Sequence, residues 1–332
     1  MRVGIVGAGS MGHAHAAGWQ AAGAEIVGVT SQWGTTAKVL AQACGARAFA
    51  DLEALLPEVD VVDLCVPSDL HRPMALRAAA AGKHVVCEKP IALSLADGEA
   101  MIDACTRAGV RLFIAHVVRF FPQYRTAAES VQAGQLGQLG VMRCRRVAYP
   151  PRQGQASWFA DEARSGGVLL DLMVHDFDYV LWLGGPVSRV FAKSIMQTHP
   201  EARGDYVLVT LRFESGAMAL VEGGWAYPTG VFRTAFDLAG SDGLIEWDSA
   251  STESIERLLV SEEEGAAAAV GLPLTVLAED PYVTEIKHVH EALVSGQPFA
   301  VSPEEALAAL RVGLAARASL RSGRSVAPAE VA

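Results

Sequence analysis

The chain begins with an apolar segment that runs directly into a glycine turn: Val3-Gly4-Ile5-Val6-Gly7-Ala8-Gly9-Ser10-Met11-Gly12. An alanine-rich helical stretch follows, which is the order of elements in a dinucleotide-binding fold. Gly7 permits a tight turn, Gly9 lets the backbone approach a pyrophosphate, and Gly12 allows the helix to pack closely on the strand. A plain strand-to-helix turn is the alternative, but the full context favours a phosphate site at the helix N-terminus.

Short β-branched runs and helical stretches alternate from residue 2 to about residue 115, as in the strand-helix-strand units of a parallel sheet. The predicted strands are residues 3–6, 25–30, 59–66, 84–87 and 111–115. The predicted helices, rich in alanine and leucine, are residues 11–22, 35–43, 72–81 and 95–108. The first part of the chain is therefore predicted to be an α/β Rossmann domain with a doubly wound parallel sheet.

The pattern changes after a helix predicted at residues 122–133. Longer alternating segments, typical of antiparallel strands, follow at residues 141–148, 187–195, 206–213, 218–225 and 233–238, and a last helix is predicted at 303–320. We expect a dinucleotide-binding domain of residues 1–120. Residues 121–332 are expected to form a substrate-binding and oligomerisation α+β domain with a mostly antiparallel open sheet, whose C-terminal helix can pack back on the first domain.

Composition and charge exclude several classes of protein. The 332 residues carry a formal net charge of -10, and the lysines and arginines form no basic stripe, so nucleic acid is not an expected partner. No apolar stretch approaches the ~20 residues that a membrane-spanning helix needs. The five cysteines form no C-x-x-C pair, which favours a reducing, cytoplasmic compartment and no structural disulfide.

The residue that ends the second predicted strand bears on the choice of cofactor. In this fold an acidic residue usually stands there, binds both ribose hydroxyls of NAD and repels the extra phosphate of NADP. Here Thr30 is followed by Ser31-Gln32-Trp33, without a carboxylate, and Lys38 is the nearest cation along the chain. We expect NAD or NADP, with a preference for NADP. Alternatively, Ser31 merely caps the next helix.

Three polar side chains occupy positions where chemistry is expected. Lys89 follows a predicted strand at the carboxyl edge of the parallel sheet, where such sheets bind ligands, although a solvated loop lysine is the usual alternative. Asp171 and His175 are four residues apart on one predicted helix after Gly166-Gly167, so both project from one face. A buried polar pair satisfied within the core is the alternative for them.

Three separated motifs carry a resemblance to a known family. They are the glycine turn, Glu88-Lys89-Pro90, and Gly166-Gly167-Val168-Leu169-Leu170-Asp171-Leu172-Met173-Val174-His175-Asp176-Phe177-Asp178. Together they resemble the Gfo/Idh/MocA family of sugar and inositol dehydrogenases, and the resemblance covers nearly the whole chain. It implies an NAD(P)-dependent oxidoreductase that transfers hydride between the nicotinamide and a secondary alcohol or ketone of a sugar, sugar acid or cyclitol.

The resemblance also implies roles for the three polar residues. Lys89 would sit between nicotinamide and substrate, His175 would take the hydroxyl proton, and Asp171 would orient the substrate or the histidine. Two other functions stay open: a reductase of the same fold acting on a substrate that is not a sugar, and a dinucleotide-binding regulator without turnover. The regulator has no need of all three residues together.

A further segment resembles the family's cofactor-side loop. Pro67, Ser68 and His71 follow the strand predicted at residues 59–66, although helix capping explains much of this segment without a ligand. The residues predicted to bind the cofactor are Gly7, Gly9, Ser10, Met11, Gly12, Ser31, Pro67, Ser68, His71, Glu88 and Lys89.

The expected substrate is a small polyol or sugar-like molecule, and its candidate contacts are Arg119, Tyr149, Arg152 and Trp158. Many relatives carry an Asn-Arg pair before the arginine of this segment, where this chain reads His116-Val117-Val118-Arg119, so the contacts of that pair are not transferred. No metal is expected, because the alternate spacing of His288-x-His290 lacks a cysteine or carboxylate cluster. A homodimer or homotetramer is expected, because an open sheet with helices on one face leaves an apolar surface.

Overall fold

A computed structural model describes residues 1–149, 158–195, 206–228, 230–251, 256–259, 268–269 and 279–331. Its strands are β1 (Arg2–Val6), β2 (Glu25–Thr30), β3 (Arg47–Ala48), β4 (Val61–Leu64), β5 (His84–Glu88), β6 (Leu112–Ala115), β7 (Leu139–Ala148), β8 (Val187–Ile195), β9 (Tyr206–Phe213), β10 (Met218–Gly224), β11 (Phe232–Gly240), β12 (Gly243–Asp248), β13 (Glu256–Leu259) and β14 (Ala268–Ala269). Its α-helices are α1 (Ser10–Ala21), α2 (Gly34–Cys44), α3 (Leu52–Leu55), α4 (His71–Ala80), α5 (Leu95–Ala108), α6 (Pro122–Gln132), α7 (Glu162–Ser165), α8 (Val174–Gly184), α9 (Pro281–Ser295) and α10 (Pro303–Ser322).

The chain folds into two compact units. The first consists of Met1–Phe120 and Glu279–Leu307, and the second consists of Phe121–Ala278 and Ala308–Ala332. The single boundary predicted at residue 120 assigns residues 279–307 to the second domain, whereas in the structure they lie in the first unit. The reason is a contact between α9 and α1: a Cβ on Gly18 would lie 2.6 Å from the Cβ of Ile286, so only glycine lets the two helices approach this closely.

The first unit contains a six-stranded parallel sheet in the order β3-β2-β1-β4-β5-β6. β4 and β6 are buried at every position, as expected for parallel strands with helices on both faces. β1 coincides with the strand predicted at residues 3–6, and the glycine turn follows its carboxyl end. The predicted doubly wound parallel fold is confirmed.

Helix ends in the first unit follow the local sequence. α2 and α5 each end at a left-handed glycine, Gly45 and Gly109, because glycine adopts a positive φ without a steric penalty. Ser94 caps α5 by accepting a hydrogen bond from the amide of Asp97 at 3.2 Å. Sequence reasoning missed the two-residue strand β3 and the helix α9.

The second unit contains an eight-stranded mixed sheet in the order β14-β13-β12-β11-β7-β10-β9-β8. Only the β7–β10 pair is parallel among these, and the other neighbours are antiparallel. The mostly antiparallel sheet predicted from the sequence is therefore confirmed, and β12, β13 and β14 extend it beyond the predicted strands.

Helices cover one face of this second sheet. α8 contacts β7 and β10, and α6 packs on α8. Along β9 and β10 the side chains of Val209 and Val221 are buried on the helical side, whereas Leu208 and Leu220 are 50% and 46% exposed on the other. Within the part of the chain that the structure describes, no helix covers the opposite face of the sheet at Leu208 and Leu220. Among the described residues, no helix combines the length and apolarity needed to span a membrane.

Candidate active site

The glycine turn joins β1 to α1 and leaves one position open to a ligand. Gly7 has a φ of +110°, and a Cβ there would lie 2.1 Å from the carbonyl oxygen of Cys65. A Cβ on Gly12 would lie 2.1 Å from the carbonyl oxygen of Gly7, so α1 packs tightly on the turn. A Cβ on Gly9 would meet no atom within 4 Å, which leaves space for a ligand against this backbone.

The first turn of α1 supplies the electrostatics of an anion site. Gly9 is the N-cap, no side chain caps the helix, and the first turn carries no acidic residue. The first amides of a helix have no carbonyl partner within it, and they stand at the positive end of the helix dipole. Ser10, Met11 and Gly12 therefore present backbone N–H groups to the space beside Gly9. This geometry fits the pyrophosphate of a dinucleotide.

The end of β2 carries no carboxylate, and its hydroxyl is engaged locally. The Ser31 hydroxyl accepts a hydrogen bond from the amide of Trp33 at 3.2 Å and lies 3.0 Å from the Thr36 hydroxyl. Neither bond caps α2, because the N-cap of this helix is Trp33 and no side chain caps it, so the capping role weighed as the alternative for Ser31 is wrong. Trp33 itself is exposed at the start of α2.

Between β4 and α4 the chain passes through Pro67 and a 3₁₀ turn, Ser68–Leu70. The buried Ser68 hydroxyl has no hydrogen-bond partner among the described residues, as expected of a group kept for a ligand. His71 is fully buried, with Nδ1 2.8 Å from the Pro90 oxygen and Nε2 3.0 Å from the Val66 oxygen. Because both ring nitrogens face main-chain carbonyls, His71 offers neither of them to a cofactor in this geometry, and it links the loop to Pro90.

Burial lowers the pKa of His71, and the two main-chain acceptors oppose that shift without cancelling it. A neutral imidazole carries only one ring proton. It can therefore donate to only one of the two carbonyls at a time.

β5 ends at Glu88, and a cis peptide bond joins Lys89 to Pro90. The Lys89 amide donates a hydrogen bond to Glu88 Oε2 at 3.1 Å. Glu88 is buried, and its Oε1 lies 3.2 Å from Nε2 of His15, a fully buried residue of α1. The carboxylate thus connects the Lys89 backbone to a histidine that sequence reasoning did not single out.

Asp63 on β4 completes this buried group in the first unit. Both of its oxygens lie 3.0 Å from Nδ1 of His15. Cys65 brings its sulfur within 3.4 Å of the same nitrogen. The signal for these residues was present in the sequence, since an aspartate in a Val-Val-Asp-Leu strand and a histidine in an alanine-rich helix need buried partners.

Asp171 and His175 lie in the second unit, on a helix that is interrupted. Gly166 and Gly167 both have positive φ, and a π-helical turn, Val168–Leu172, follows them. The Met173 amide donates a hydrogen bond to the Val168 oxygen at 2.9 Å, which spans five residues instead of the four of an α-helix. Asp171 therefore lies on the π-turn and His175 in the first turn of α8, rather than on the single regular helix predicted. Such π-turns are common at functional sites.

These two residues differ in exposure. Asp171 is buried, whereas His175 is partly exposed. The next two carboxylates on α8, Asp176 and Asp178, are fully buried. Asp176 pairs with Arg146 of β7 at 2.8 Å, so this carboxylate is engaged in the core.

The candidate substrate contacts are in different surroundings. Arg119 is buried, with Nη1 3.0 Å from the Ala300 oxygen and 2.9 Å from Glu305 Oε1 in the first unit. Trp158 stacks on Phe159 with ring centroids 4.0 Å apart, and Tyr149 is exposed. Arg152 lies outside the described residues.

Comparisons with known proteins agree with the fold and the motifs. Residues 1–116 match the profile of an oxidoreductase family with an NAD-binding Rossmann fold, and residues 124–246 match the GFO/IDH/MocA C-terminal domain. A myo-inositol 2-dehydrogenase of Thermotoga maritima is 31% identical over 344 residues, covering 100% of this chain and 99% of the relative. A scyllo-inositol 2-dehydrogenase (NAD(+)) of Bacillus subtilis is 27% identical, covering 98% of this chain and 96% of the relative.

Solved structures show the same architecture. The crystal structure of a probable dehydrogenase from Thermotoga maritima superposes with a TM-score of 0.84 at 30% identity, with all of both chains covered. A levoglucosan dehydrogenase in complex with NADH and L-sorbose superposes with a TM-score of 0.89 at 21% identity, covering 98% of each chain, which shows the fold alone. The full-length match, the two family domains and the glycine turn together establish that this chain belongs to the Gfo/Idh/MocA family of NAD-binding oxidoreductases.

Proposed function

We propose that this chain oxidises a secondary alcohol of a sugar, sugar acid or cyclitol with a nicotinamide cofactor, and catalyses the reverse reduction. The observation that carries the proposal is the open space at Gly9, directly before α1, whose N-terminus no side chain caps. At Gly7 and Gly12, on either side of it, a Cβ would collide with a backbone oxygen. The full-length relatives include inositol dehydrogenases and a 1,5-anhydro-D-fructose reductase, and their activities support the substrate class.

In the proposed reaction His175 is the general base. It accepts the proton of the reacting hydroxyl while the C–H bond on the same carbon breaks and its electron pair leaves with the hydrogen as hydride, so that a carbonyl forms. The nicotinamide ring supplies the hydride acceptor when the cofactor is bound. The partial exposure of His175 leaves it accessible to a substrate, and a well-placed imidazole base contributes ~10²- to 10⁴-fold in rate.

Lys89 and Asp171 are the other proposed catalytic residues. A lysine at the carboxyl end of β5 stands at the sheet edge where open α/β sheets bind ligands, and its ammonium can hold the reacting oxygen. Glu88 fixes the Lys89 backbone through the 3.1 Å hydrogen bond to its amide. Asp171, buried on the π-turn, is proposed to orient the histidine or a substrate hydroxyl.

For the cofactor we propose NAD or NADP, with a preference for NADP. The support is that no carboxylate follows β2, so the usual repulsion of a 2′-phosphate is missing there. The local bonds of Ser31 to Trp33 and Thr36 make its hydroxyl less available as a phosphate donor, so the preference rests on the missing repulsion. The Michaelis constants for the two cofactors test this preference, and a clear preference for NAD contradicts it.

The activity is tested by incubating the purified protein with NAD or NADP and a panel of inositols, sugars, anhydrosugars and sugar acids. We expect the absorbance of reduced cofactor to rise with at least one cyclitol or sugar. Turnover confined to ketones or imines that are not sugars would identify a reductase of the same fold instead. Tight cofactor binding without turnover across the panel would identify a non-catalytic regulator.

We also propose that the chain forms a homodimer or homotetramer through the open face of its second sheet. This face carries Leu208, Met218 and Leu220 in exposed positions. Two ion pairs lie within the face, with Arg143 near Asp237 at 3.6 Å and Arg145 bonded to Asp248 at 2.7 Å. Internally paired charges and exposed leucines suit a self-complementary, two-fold interface.

We propose a reducing, cytoplasmic compartment because the cysteines form no disulfide. All five, Cys44, Cys65, Cys87, Cys105 and Cys144, are free thiols, and three of them are buried. Free buried cysteines are ordinary core residues of proteins in a reducing compartment.

A further inference from the structure

A histidine is enclosed between two buried carboxylates beneath the Glu88-Lys89-Pro90 segment. His15 lies on α1 and is fully buried. Its Nδ1 is 3.0 Å from both oxygens of Asp63 on β4, and its Nε2 is 3.2 Å from Oε1 of Glu88 at the end of β5. β4 and β5 are neighbouring strands, so one imidazole links both strands to the helix that follows the glycine turn.

The charges around this imidazole favour its protonated form. Burial lowers the pKa of His15, but the Asp63 carboxylate, through its charge and its hydrogen bond, outweighs that effect, and the pKa lies well above the usual histidine value. Burial raises the pKa of Glu88, but His15 and Lys89 outweigh it, and the pKa lies below the usual value. The group therefore consists of one imidazolium between two carboxylates, each ring nitrogen facing one of them.

The remaining neighbours hold Asp63 in place without competing for Glu88. Trp19, one turn after His15 on α1, donates its Nε1 hydrogen to Asp63 Oδ2 at 2.7 Å. Burial raises the pKa of Cys65 to about 12, so its side chain near His15 is a neutral thiol. Asp63 thus anchors the ring by hydrogen bonds on one side, and on the other side Nε2 lies 3.2 Å from Glu88 Oε1 as an ion-pair contact without hydrogen-bond geometry.

Glu88 connects His15 to Lys89, the residue proposed to act on the substrate. Its Oε1 faces His15, and its Oε2 accepts the hydrogen bond from the Lys89 amide at 3.1 Å. An ion-pair contact at one oxygen and a hydrogen bond at the other restrict the rotation of the carboxylate, and a charged acceptor makes the hydrogen bond from the Lys89 amide stronger than a neutral acceptor does. The Lys89 backbone is therefore tied through Glu88 and His15 to α1, the helix whose N-terminus forms the proposed phosphate site.

We propose that His15, as a buried imidazolium, is a positioning residue that fixes Lys89 through Glu88. This inference rests on the proposed catalytic role of Lys89. His15 does not touch the reacting atoms. Without it, Glu88 is left as an unpaired buried carboxylate, which takes up a proton or draws in water, and either change weakens the bond that orders the Lys89 amide.

The first experiment needs no substrate. Amide hydrogen exchange at Lys89 is compared in the cofactor-free wild type, His15→Gln and His84→Gln. His84 is a matched control, because it stands at the start of the same strand and binds the Arg111 amide instead of Glu88. We expect exchange at Lys89 to be about tenfold faster in His15→Gln and within about twofold of wild type in His84→Gln. Equal exchange in all three proteins would overturn the inference.

The charge state is measured in the same samples. The ¹⁵N shifts of the His15 ring in the wild type are expected to show both nitrogens protonated at pH 8. A neutral ring at that pH would remove the charge on which Glu88 depends, and it would overturn the inference even if His15→Gln fails to fold.

The second experiment is a double-mutant cycle on turnover, using NAD or NADP and myo-inositol, or the best substrate from the panel. Both His15→Gln and Glu88→Gln are expected to lower kcat on the order of 10- to 100-fold, since small misplacements of a catalytic group are costly. If His15 acts through Glu88, the double variant is within about threefold of Glu88→Gln alone. If the kcat of the double variant falls by the product of the two single losses, His15 does not act through Glu88.

The result is separable from a failure of the proposed function. If Lys89→Met keeps full turnover, the catalytic role of Lys89 fails, whereas the exchange experiment still decides whether His15 orders its amide. If Lys89→Met abolishes turnover and the kcat losses of His15→Gln and Glu88→Gln multiply in the double variant, the role of Lys89 stands and only the proposed positioning by His15 is refuted.

Discussion

Arg146 on β7 and Asp176 on α8 form a two-point ion pair in the core of the second unit. Nε of Arg146 donates to Oδ2 of Asp176 at 2.8 Å, and Nη2 donates to Oδ1 at 3.0 Å. The two side chains are 6% and 0% exposed, so water compensates neither charge. The pair fastens the first turn of α8, which carries His175, to the centre of the sheet.

The first prediction concerns this pair. Replacing Asp176 by Asn leaves the Arg146 guanidinium buried without its counter-charge, and we expect a loss of about 3–5 kcal/mol in the free energy of unfolding. For a chain of this size the melting temperature falls by on the order of 10 °C, measured by calorimetry. The double variant Arg146→Met/Asp176→Leu is expected to recover most of the loss, because it removes both charges.

A control for this prediction is the exposed pair of Arg125 and Glu129, four residues apart on α6. Arg125→Ala is expected to change the free energy of unfolding by less than ~0.5 kcal/mol. An Asp176→Asn protein as stable as this control would show that the buried pair contributes nothing.

The second prediction separates two glycines of the phosphate turn. Gly12→Ala places a methyl group 2.1 Å from the Gly7 carbonyl oxygen, so the backbone must shift, at a cost of ~1–3 kcal/mol in stability. The methyl group added by Gly9→Ala would have no atom within 4 Å, so we expect a free energy of unfolding within ~0.5 kcal/mol of wild type. The added methyl fills the space proposed for the pyrophosphate, so the cofactor Kd is expected to rise at least about tenfold.

Both effects of the glycine variants are read from thermal unfolding and from fluorescence titration with NADH and NADPH. Gly140→Ala in the second unit is the control, since its Cβ would make only an ordinary 3.7 Å contact. If Gly9→Ala binds the cofactor as tightly as the control does, the phosphate site is not at this turn.

Strong local patterns made the parallel sheet and the glycine turn predictable. The β-branched strands and the Gly-x-Gly-x-x-Gly turn are encoded within a few residues of each other. The location of α9 in the first unit is not, because it depends on the long-range fit of Ile286 against Gly18. A glycine inside an alanine-rich helix is the only local trace of that contact.

The interrupted helix at Asp171 shows a second limit. The spacing of four between Asp171 and His175 predicts a regular α-helix, whereas the structure inserts a π-turn that ends at Leu172. Hydrophobic periodicity reports which face is buried, but it does not report a shift of hydrogen bonds from the i–4 to the i–5 carbonyl. His15 and Asp63 could be recognised from the sequence as polar residues that need buried partners, but their pairing could not, since they are 48 residues apart in the chain.

The third prediction tests the proposed catalytic residues. Lys89→Met and His175→Ala are each expected to lower kcat by at least ~10²-fold, because each removes a group that acts on the reacting hydroxyl. The stability of both variants and the NADH Kd of His175→Ala are expected to stay near wild type, and these are measured by thermal unfolding and fluorescence titration beside the turnover assays. Lys83→Met, just before β5, is the matched control and is expected to keep full activity. Turnover within a few fold of wild type in both Lys89→Met and His175→Ala would refute the mechanism.

The fourth prediction concerns the open face of the second sheet. Leu220 on β10 is 46% exposed beside Leu208, and Leu220→Asp places a carboxylate in the centre of the proposed two-fold interface. Burying an unpaired charge there costs several kcal/mol per interface, so we expect a shift from oligomer to monomer at micromolar concentrations. Light scattering coupled to gel filtration measures the mass. Val294→Asp, at a 67% exposed position in the first unit, is expected to keep the wild-type mass. A wild-type monomer, or an undiminished mass of Leu220→Asp, would show that this face does not join two copies of the chain.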